Sequence, residues 1–172
     1  SIFDEFMEKV AKKMSEVKVD DAFSKNNPDM SSMVSKDQYD KVVEMVEYAK
    51  KEGAEVVVGG ARSANFDKGY FYQPTLLTNI NQKMQVMQEE VFGPVLPVMK
   101  FDTLDEAIAL SNDSEFGLTS SIFSENFNKV MYACDQLEFG ETYVNREHFE
   151  AIQGFHAGWK KSGLGGADGK HG

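Results

Sequence analysis

Residues 74–101 read PTLLTNINQKMQVMQEEVFGPVLPVMKF, and two short apolar runs in this stretch decide the fold class. The first run, TLLTN, follows Pro74, and the second, VLPVMKF, follows the turn-forming pair Gly93-Pro94. Short apolar runs bounded by Gly, Pro and Asn are typical of buried strands. A third such run, EVVVGG at residues 55–60, lies upstream and ends in a Gly pair. The sequence therefore predicts a short buried strand at each of these three places.

Helical segments alternate with the strands along the chain. Ser35 opens the capping pattern SKDQ, and helical periodicity continues to about Lys51 and stops at Gly53. Thr103 opens a second capping pattern in TLDEAIALS. Further helices are predicted in SIFDEFMEKVAKKMSEV and around NFNKVMYACDQL, and further strands in LTSSIFS and ETYVN. This alternation predicts an α/β fold, a three-layer αβα arrangement with a mainly parallel sheet.

The last part of the chain, residues 146–172, has no regular periodicity and is rich in Gly. Half of the 14 Gly residues and all three His residues lie there. Long irregular segments of such composition often carry function. The first helix has no strand leading into it, and the final GGADGKHG has nothing to hold it in place. We therefore expect the chain to be a piece of a larger protein.

Composition and charge narrow the class of protein. The 172 residues are 41% hydrophobic and 27% charged, which is ordinary for a globular domain. Lys and Arg number 18 against 28 Asp and Glu, for a net charge of −10, and the absence of a basic cluster predicts no nucleic-acid partner. No apolar stretch approaches the roughly 18 to 20 residues that cross a bilayer, and no signal-peptide layout opens the chain. We expect a soluble, cytoplasmic protein without a membrane partner.

Cys134 is the only thiol, so it is the first candidate for a nucleophile. It shares a helical face with Phe127, Val130 and Met131, which favours a buried small hydrophobic residue over a reactive one. The sequence also contains no Gly-x-Ser-x-Gly elbow, no phosphate loop, no GxGxxG fingerprint and no His-x-x-x-His metal pair. We therefore predict neither a catalytic residue nor a metal site within this chain.

The segment QEEVFGPV at residues 88–95 allows two interpretations. In the first, the two Glu residues belong to a solvated turn and Phe92 packs beneath it. In the second, Gly93-Pro94 holds the preceding residues rigidly at the edge of the sheet. A rigid carboxylate there can accept two hydrogen bonds from a ribose diol, while the Phe92 ring offers a flat face to a planar heterocycle. The residues alone leave both interpretations open.

Several long segments resemble one enzyme family, over essentially the whole chain and in the family's order. The segments PTLLTNINQKMQVMQEEVFGPVLPVMKF, NDSEFGLTSSIFS, GETYVN and GWKKSGLGG resemble the NAD(P)-dependent aldehyde dehydrogenase superfamily. The stretch FDTLDEAIALSNDSEFGLTSSI, together with ETYVNREHFEAIQGFHAGWKKSGLGGADGKHG, resembles its lactaldehyde and glycolaldehyde dehydrogenase branch. The resemblance implies that residues 1–172 form the C-terminal part of the catalytic, or substrate, domain.

The resemblance also implies which residues meet the cofactor, NAD or NADP. The second Glu of EEVFGPV bonds the nicotinamide ribose in the family, and the Phe two residues later lies against the nicotinamide; these are Glu90 and Phe92. The segment KDQYDK matches one whose Gln and Lys approach the adenosine ribose, which implies Gln38 and Lys41. For these two residues, solvated positions on a helix remain the alternative.

Two further residues are implied as substrate contacts. In the lactaldehyde-type branch, an acidic residue and a His in the FEAxQGFH loop contact the small hydroxyaldehyde; here these are Glu150 and His156. The family reaction also needs a Cys thiolate that attacks the aldehyde and a Glu base that activates water. Both lie in motifs, GQ-x-C and E-L-G-G, that fall upstream of Ser1 in the family and are absent here.

These implications give a functional prediction and an alternative. The parent protein is predicted to oxidise a lactaldehyde- or glycolaldehyde-type substrate to the carboxylic acid, with NAD or NADP as hydride acceptor, and to form a homodimer or homotetramer. The chain alone is predicted to be inactive. The alternative is a natural non-catalytic interaction or structural module with the same fold. A GQ-x-C motif encoded just before Ser1 would favour the enzyme, and a start codon there would favour the module.

Overall fold

The computed structural model describes residues 2–170 of the chain. Ser1, in the first predicted helix, and His171 and Gly172, at the end of the predicted irregular segment, lie outside the described residues. The chain divides into two compact units, one reaching Lys100 and the other beginning at Phe101. A single partial domain over residues 1–172 stays a prediction.

Over residues 2–100, the first unit contains three helices and three strands: α1 (Phe3–Ser15), α2 (Lys36–Glu52), β1 (Glu55–Val58), β2 (Thr75–Thr78), α3 (Gln85–Gln88) and β3 (Val95–Pro97). Helix α2 begins where the sequence predicts, because the Ser35 side chain accepts a hydrogen bond from the Gln38 backbone N–H. It ends at Gly53, whose φ of 105° is a left-handed conformation that favours Gly. None of the helices in residues 2–170 is both long enough and apolar enough to span a membrane.

The three strands form one mixed sheet in the order β1-β2-β3. Strands β2 and β3 are parallel, as predicted, because the connection between them crosses back through α3. Strands β1 and β2 are antiparallel, which differs from the predicted mainly parallel sheet. Residues 59–74, which connect β1 and β2, contain no crossover helix that could return the chain to the starting edge.

Both faces of β2 are buried, which confirms the α/β class for this unit. Leu77 packs into the main core with Val42 and Val46 of α2. Leu76 is also fully buried but lies outside that core, since neighbouring side chains of a strand point to opposite faces. Helix α1 packs against β1 and β2. The sheet therefore lies between α2 and α1.

The described part of the second unit, residues 101–170, contains two helices and six short strands: α4 (Leu104–Asn112), β4 (Phe116–Gly117), β5 (Thr119–Ile122), α5 (Phe127–Gln136), β6 (Glu141–Val144), β7 (His156–Ala157), β8 (Trp159–Lys160) and β9 (Gly166–Ala167). Strands β5 and β6 are parallel and α5 connects them, which is the predicted strand-helix-strand unit. The predicted irregular segment contains the three two-residue strands β7, β8 and β9 and is otherwise irregular. Strand β7 pairs with β9, and β8 pairs with β4, both in antiparallel orientation.

Candidate functional site

The loop before β3 turns Phe92 outward in an unusual backbone conformation. Its φ is 53°, in the left-handed region that bulky residues rarely adopt, and its side chain is 69% exposed. The preceding Val91 is buried in the core of the unit. Gln38 Nε2 donates hydrogen bonds to the main-chain oxygens of Val91, at 3.1 Å, and Phe92, at 2.6 Å. The interpretation in which Phe92 packs beneath the turn is therefore wrong.

The pair Gly93-Pro94 anchors this loop to its surroundings. A Cβ atom on Gly93 would lie 2.4 Å from Val42 Cγ2, so the loop backbone lies directly on α2 and only Gly fits there. The main-chain oxygen of Pro94 accepts a hydrogen bond of 2.8 Å from the Thr75 N–H at the start of β2. The residues just before β3 are thus held between a helix and a strand, as the second interpretation of the segment requires.

The two adjacent carboxylates of the loop have different surroundings. Glu89 Oε1 accepts a hydrogen bond from Gln85 Nε2 at 2.8 Å. The Glu90 side chain is exposed, and its carboxylate has no hydrogen-bond or ion-pair partner within residues 2–170. Of the two, Glu90 is therefore the carboxylate that is available to accept hydrogen bonds from a ligand.

Gln38 and Lys41, which were predicted near an adenosine ribose, both hold the backbone of this loop. Gln38 carries the two bonds described above, and Lys41 Nζ donates to the main-chain oxygen of Glu90 at 3.1 Å. Both side chains lie one turn apart on α2 and reach the loop from the same face. The alternative of a solvated helix position is wrong for Gln38, which is half-buried and bonded. Contact with adenosine stays a prediction for both residues.

In the second unit, the structure brings the two predicted substrate contacts together. His156 lies in β7, and its Nε2 is 3.5 Å from Glu150 Oε1. The Glu150 side chain is 54% exposed and the His156 side chain is 23% exposed. A carboxylate and an imidazole at this separation can both contact a small polar group placed beside them. The arrangement fits the recognition of a hydroxyl group.

A second carboxylate, which sequence reasoning missed, lies on the other side of the His156 ring. Glu141, the first residue of β6, has its Oε1 3.3 Å from His156 Nδ1. The Tyr143 hydroxyl donates a 2.5 Å hydrogen bond to Glu141 Oε2, and this bond is the main cause that raises the pKa of Tyr143 to about 12. The sequence contained a signal for this residue. Glu141 and Tyr143 lie two positions apart in the predicted strand ETYV, so their side chains point to the same face.

Cys134 is less buried than its helical pattern predicts. It is half-buried, while Phe127 is 73% exposed and Met131 51% exposed. Helix α5 buries Val130, which belongs to the predicted face, and Ala133, which does not. The prediction that Cys134 is buried was therefore only partly correct, because periodicity groups residues on a face without saying which edge of that face meets the core.

Among residues 2–170 the side chains form no group of three or more His, Cys, Asp or Glu that could hold a metal ion.

Comparison with known proteins gives the family to which these features belong. The profile of the "Aldehyde dehydrogenase family" matches residues 1–172. Lactaldehyde dehydrogenase of Escherichia coli (strain K12) is 50% identical over 171 residues, which are 99% of this chain and 35% of that protein. D-glyceraldehyde dehydrogenase (NADP(+)) of Thermoplasma acidophilum is 35% identical over 174 residues, 99% of this chain and 35% of that protein.

Solved structures agree with the sequence relatives. The crystal structure of the Escherichia coli lactaldehyde dehydrogenase superposes with a TM-score of 0.95 at 50% identity, and covers 99% of this chain and 35% of that one. Betaine aldehyde dehydrogenase from Staphylococcus aureus in complex with NAD+ has a TM-score of 0.93 at 34% identity, and covers 99% and 34%. The chain spans about a third of the length of the relatives that it matches. This chain belongs to the aldehyde dehydrogenase family.

Proposed function

We propose that this chain is the C-terminal part of the catalytic domain of an NAD(P)-dependent dehydrogenase. The enzyme oxidises a small hydroxyaldehyde, of the lactaldehyde or glycolaldehyde type, to the carboxylic acid. The observation that supports a hydroxyaldehyde as the substrate is the distance of 3.5 Å between His156 Nε2 and Glu150 Oε1, both in the Gly-rich segment. Relatives named for lactaldehyde and D-glyceraldehyde support this class, since both aldehydes carry a hydroxyl group.

The loop that contains Glu90 and Phe92 fits the nicotinamide end of NAD or NADP. Glu90 offers two carboxylate oxygens without partners in the described residues, and a carboxylate pairs well with the two hydroxyls of a ribose. The exposed Phe92 ring, held outward by its backbone, offers a flat apolar face to the nicotinamide ring. When bound, the cofactor supplies the hydride acceptor. The role of these residues is to hold it in position, and the exposed Lys41 ammonium keeps further donors for the adenosine ribose.

Partners and location complete the proposal. The parent enzyme is a cytoplasmic homodimer or homotetramer whose partner is the small hydroxyaldehyde. The net charge of −10 supports the absence of a nucleic-acid partner, because a phosphate backbone would be repelled.

Replacing Glu90 by Gln in the full-length enzyme is expected to lower kcat about tenfold, with a smaller change in KM for the coenzyme. The substitution exchanges a charge-assisted hydrogen bond for a neutral one and loosens the orientation of the nicotinamide. Steady-state kinetics with NAD and NADP measure the effect. Glu89→Gln is the matched control, because Glu89 is bonded to Gln85 and should change kcat by less than about twofold. An unchanged kcat in Glu90→Gln with both coenzymes would refute the cofactor site.

Residues 1–172 alone are expected to show no aldehyde oxidation. The chain contains neither the GQ-x-C nor the E-L-G-G motif, so the thiolate and the base of the family reaction have to come from elsewhere. The purified chain is mixed with glycolaldehyde and NAD or NADP, and the absorbance of reduced coenzyme is followed. Turnover that Cys134→Ser abolishes would show that Cys134 is a nucleophile after all. Turnover that survives this substitution would show that the reaction does not follow the family mechanism.

A further inference from the structure

The buried side of His156 faces a carboxylate that the proposed substrate contacts do not include. Nδ1 of the ring is fully buried and lies 3.3 Å from Glu141 Oε1. No group within residues 2–170 is aligned to form a hydrogen bond with Nδ1, and Glu141 is the carboxylate that lies within ion-pair distance of it. Hydrogen bonds of functional side chains are often poorly aligned before substrate binds and tighten in the complex.

The position of Glu141 is fixed from two directions. Its backbone belongs to β6, where it pairs with Thr119 of β5, and its N–H donates to the main-chain oxygen of Leu118 at 3.2 Å. Its Oε2 is occupied by the Tyr143 hydroxyl at 2.5 Å, so Oε1 is the oxygen that remains for the imidazole. The carboxylate is therefore oriented before any substrate arrives.

The phenol that orients Glu141 is itself held in place. Its ring stacks on His148, with centroids 5.4 Å apart and planes at 19°, and Arg146 lies over the ring at 5.7 Å from the centroid. His148 Nδ1 in turn lies 2.8 Å from the hydroxyl oxygen of Thr119, within hydrogen-bond distance. Tyr143, Glu141 and His156 thus form a row of side chains that leads from the β5-β6 pair toward Glu150.

We propose that Glu141 is a positioning residue for His156. The Glu141 carboxylate holds Nδ1 of the imidazole in its protonated form and directs Nε2 toward the side where Glu150 lies. A ring nitrogen that faces a carboxylate oxygen carries a proton, because two acceptors would repel each other. Orientation of the ring by a second residue is how a carboxylate commonly sets the tautomer of a functional His.

This inference rests on the proposed function, and it adds a residue that decides substrate selectivity. Since Nδ1 is held by Glu141, Nε2 is the nitrogen that meets the hydroxyl group of the substrate, beside the Glu150 carboxylate. An aldehyde without the hydroxyl makes no use of this edge of the ring. Loss of Glu141 should therefore affect hydroxyaldehydes and spare simple aldehydes.

The test compares glycolaldehyde with propanal in the full-length enzyme and in its Glu141→Gln variant. The Gln side chain keeps the size, but its amide can offer an N–H to Nδ1 and so favour the other tautomer. We expect kcat/KM for glycolaldehyde to fall roughly tenfold and kcat/KM for propanal to change less than about threefold. Tyr143→Phe keeps the ring stack and removes only the hydroxyl, so it should shift the same ratio by a smaller factor.

Controls separate this inference from a structural role and from the proposed function. Glu115→Gln removes the same charge from an exposed pair with Lys161, 2.6 Å apart, and should leave the ratio unchanged. Equal losses of kcat/KM on both substrates in Glu141→Gln would overturn the inference. An unchanged ratio of the two kcat/KM values in both Glu141→Gln and Tyr143→Phe, while His156→Ala remains selective, would also overturn it. Either result would leave the proposed function standing. If His156→Ala lowers kcat/KM equally for both substrates, both the inference and the proposed substrate class are wrong. If Glu141→Gln does not fold, Tyr143→Phe decides.

Discussion

Replacing His156 by Ala in the full-length enzyme is expected to lower kcat/KM for lactaldehyde about 100-fold, and kcat/KM for propanal less than about fivefold. The proposed site recognises the substrate hydroxyl through His156 Nε2 and Glu150, which lie 3.5 Å apart. Without the imidazole, the hydroxyl of bound lactaldehyde and the carboxylates of Glu150 and Glu141 lose a partner, whereas propanal has no hydroxyl to leave unpaired. Steady-state kinetics on both aldehydes measure the ratio.

The chain offers a matched control for this substitution in a second His of the same segment. His148 bonds Thr119 and stacks on Tyr143. His148→Phe keeps an aromatic ring in the stack and removes the ring nitrogens, so any loss should be the same for both aldehydes. Equal losses for lactaldehyde and propanal in His156→Ala would mean that the loop is structural, and the assignment to hydroxyaldehydes would be wrong.

Replacing Gly140 by Ala is expected to destabilise the second unit by about 3 kcal/mol or more. A Cβ atom at this position would lie 1.5 Å from the main-chain oxygen of Ala157, so the added methyl group overlaps the backbone of β7. Strand β7 cannot move away freely, because it is paired with β9 through His156 and Ala157. The clash should also separate His156 from Glu141, the residue that follows Gly140.

Thermal unfolding of the full-length enzyme, at one scan rate, measures this effect. Gly165→Ala is the control, since nothing lies within 4 Å of a Cβ atom there and the unfolding midpoint should stay within about 1 °C. A midpoint for Gly140→Ala equal to that of Gly165→Ala would contradict the close approach of β7 to the start of β6.

Local signals predicted the elements whose causes are local. The N-terminus of α2 at Ser35 and its end at Gly53 were predicted, because a capping hydrogen bond and a left-handed φ depend on neighbouring residues only. The α/β class and the β5-α5-β6 unit were predicted from alternating apolar runs. The antiparallel pairing of β1 with β2 was not predicted, because strand direction depends on how residues 59–74 connect them in space.

Residue types and the family resemblance selected the candidate site residues, but their surroundings come from contacts far apart in sequence. The bonds from Gln38 to Val91 and Phe92 span more than 50 residues, so no local pattern reveals that Gln38 holds the loop. In the same way, nothing near Cys134 indicates that Val130 and Ala133 meet the core while Phe127 and Met131 are exposed.

By itself, the sequence determined the ends of α2, the apolar strands β1, β2 and β3, the α/β class and, through its resemblance, the candidate residues Glu90, Phe92, Glu150 and His156. Only the tertiary structure decided that, within residues 2–170, Glu90 and not Glu89 has a carboxylate without a partner, and that Glu141 lies against the buried nitrogen of His156. The physical reason is that backbone propensities act over a few residues, whereas the partner of a side chain is chosen by packing. Gly140 illustrates this, since it is the residue that lets β7 approach β6.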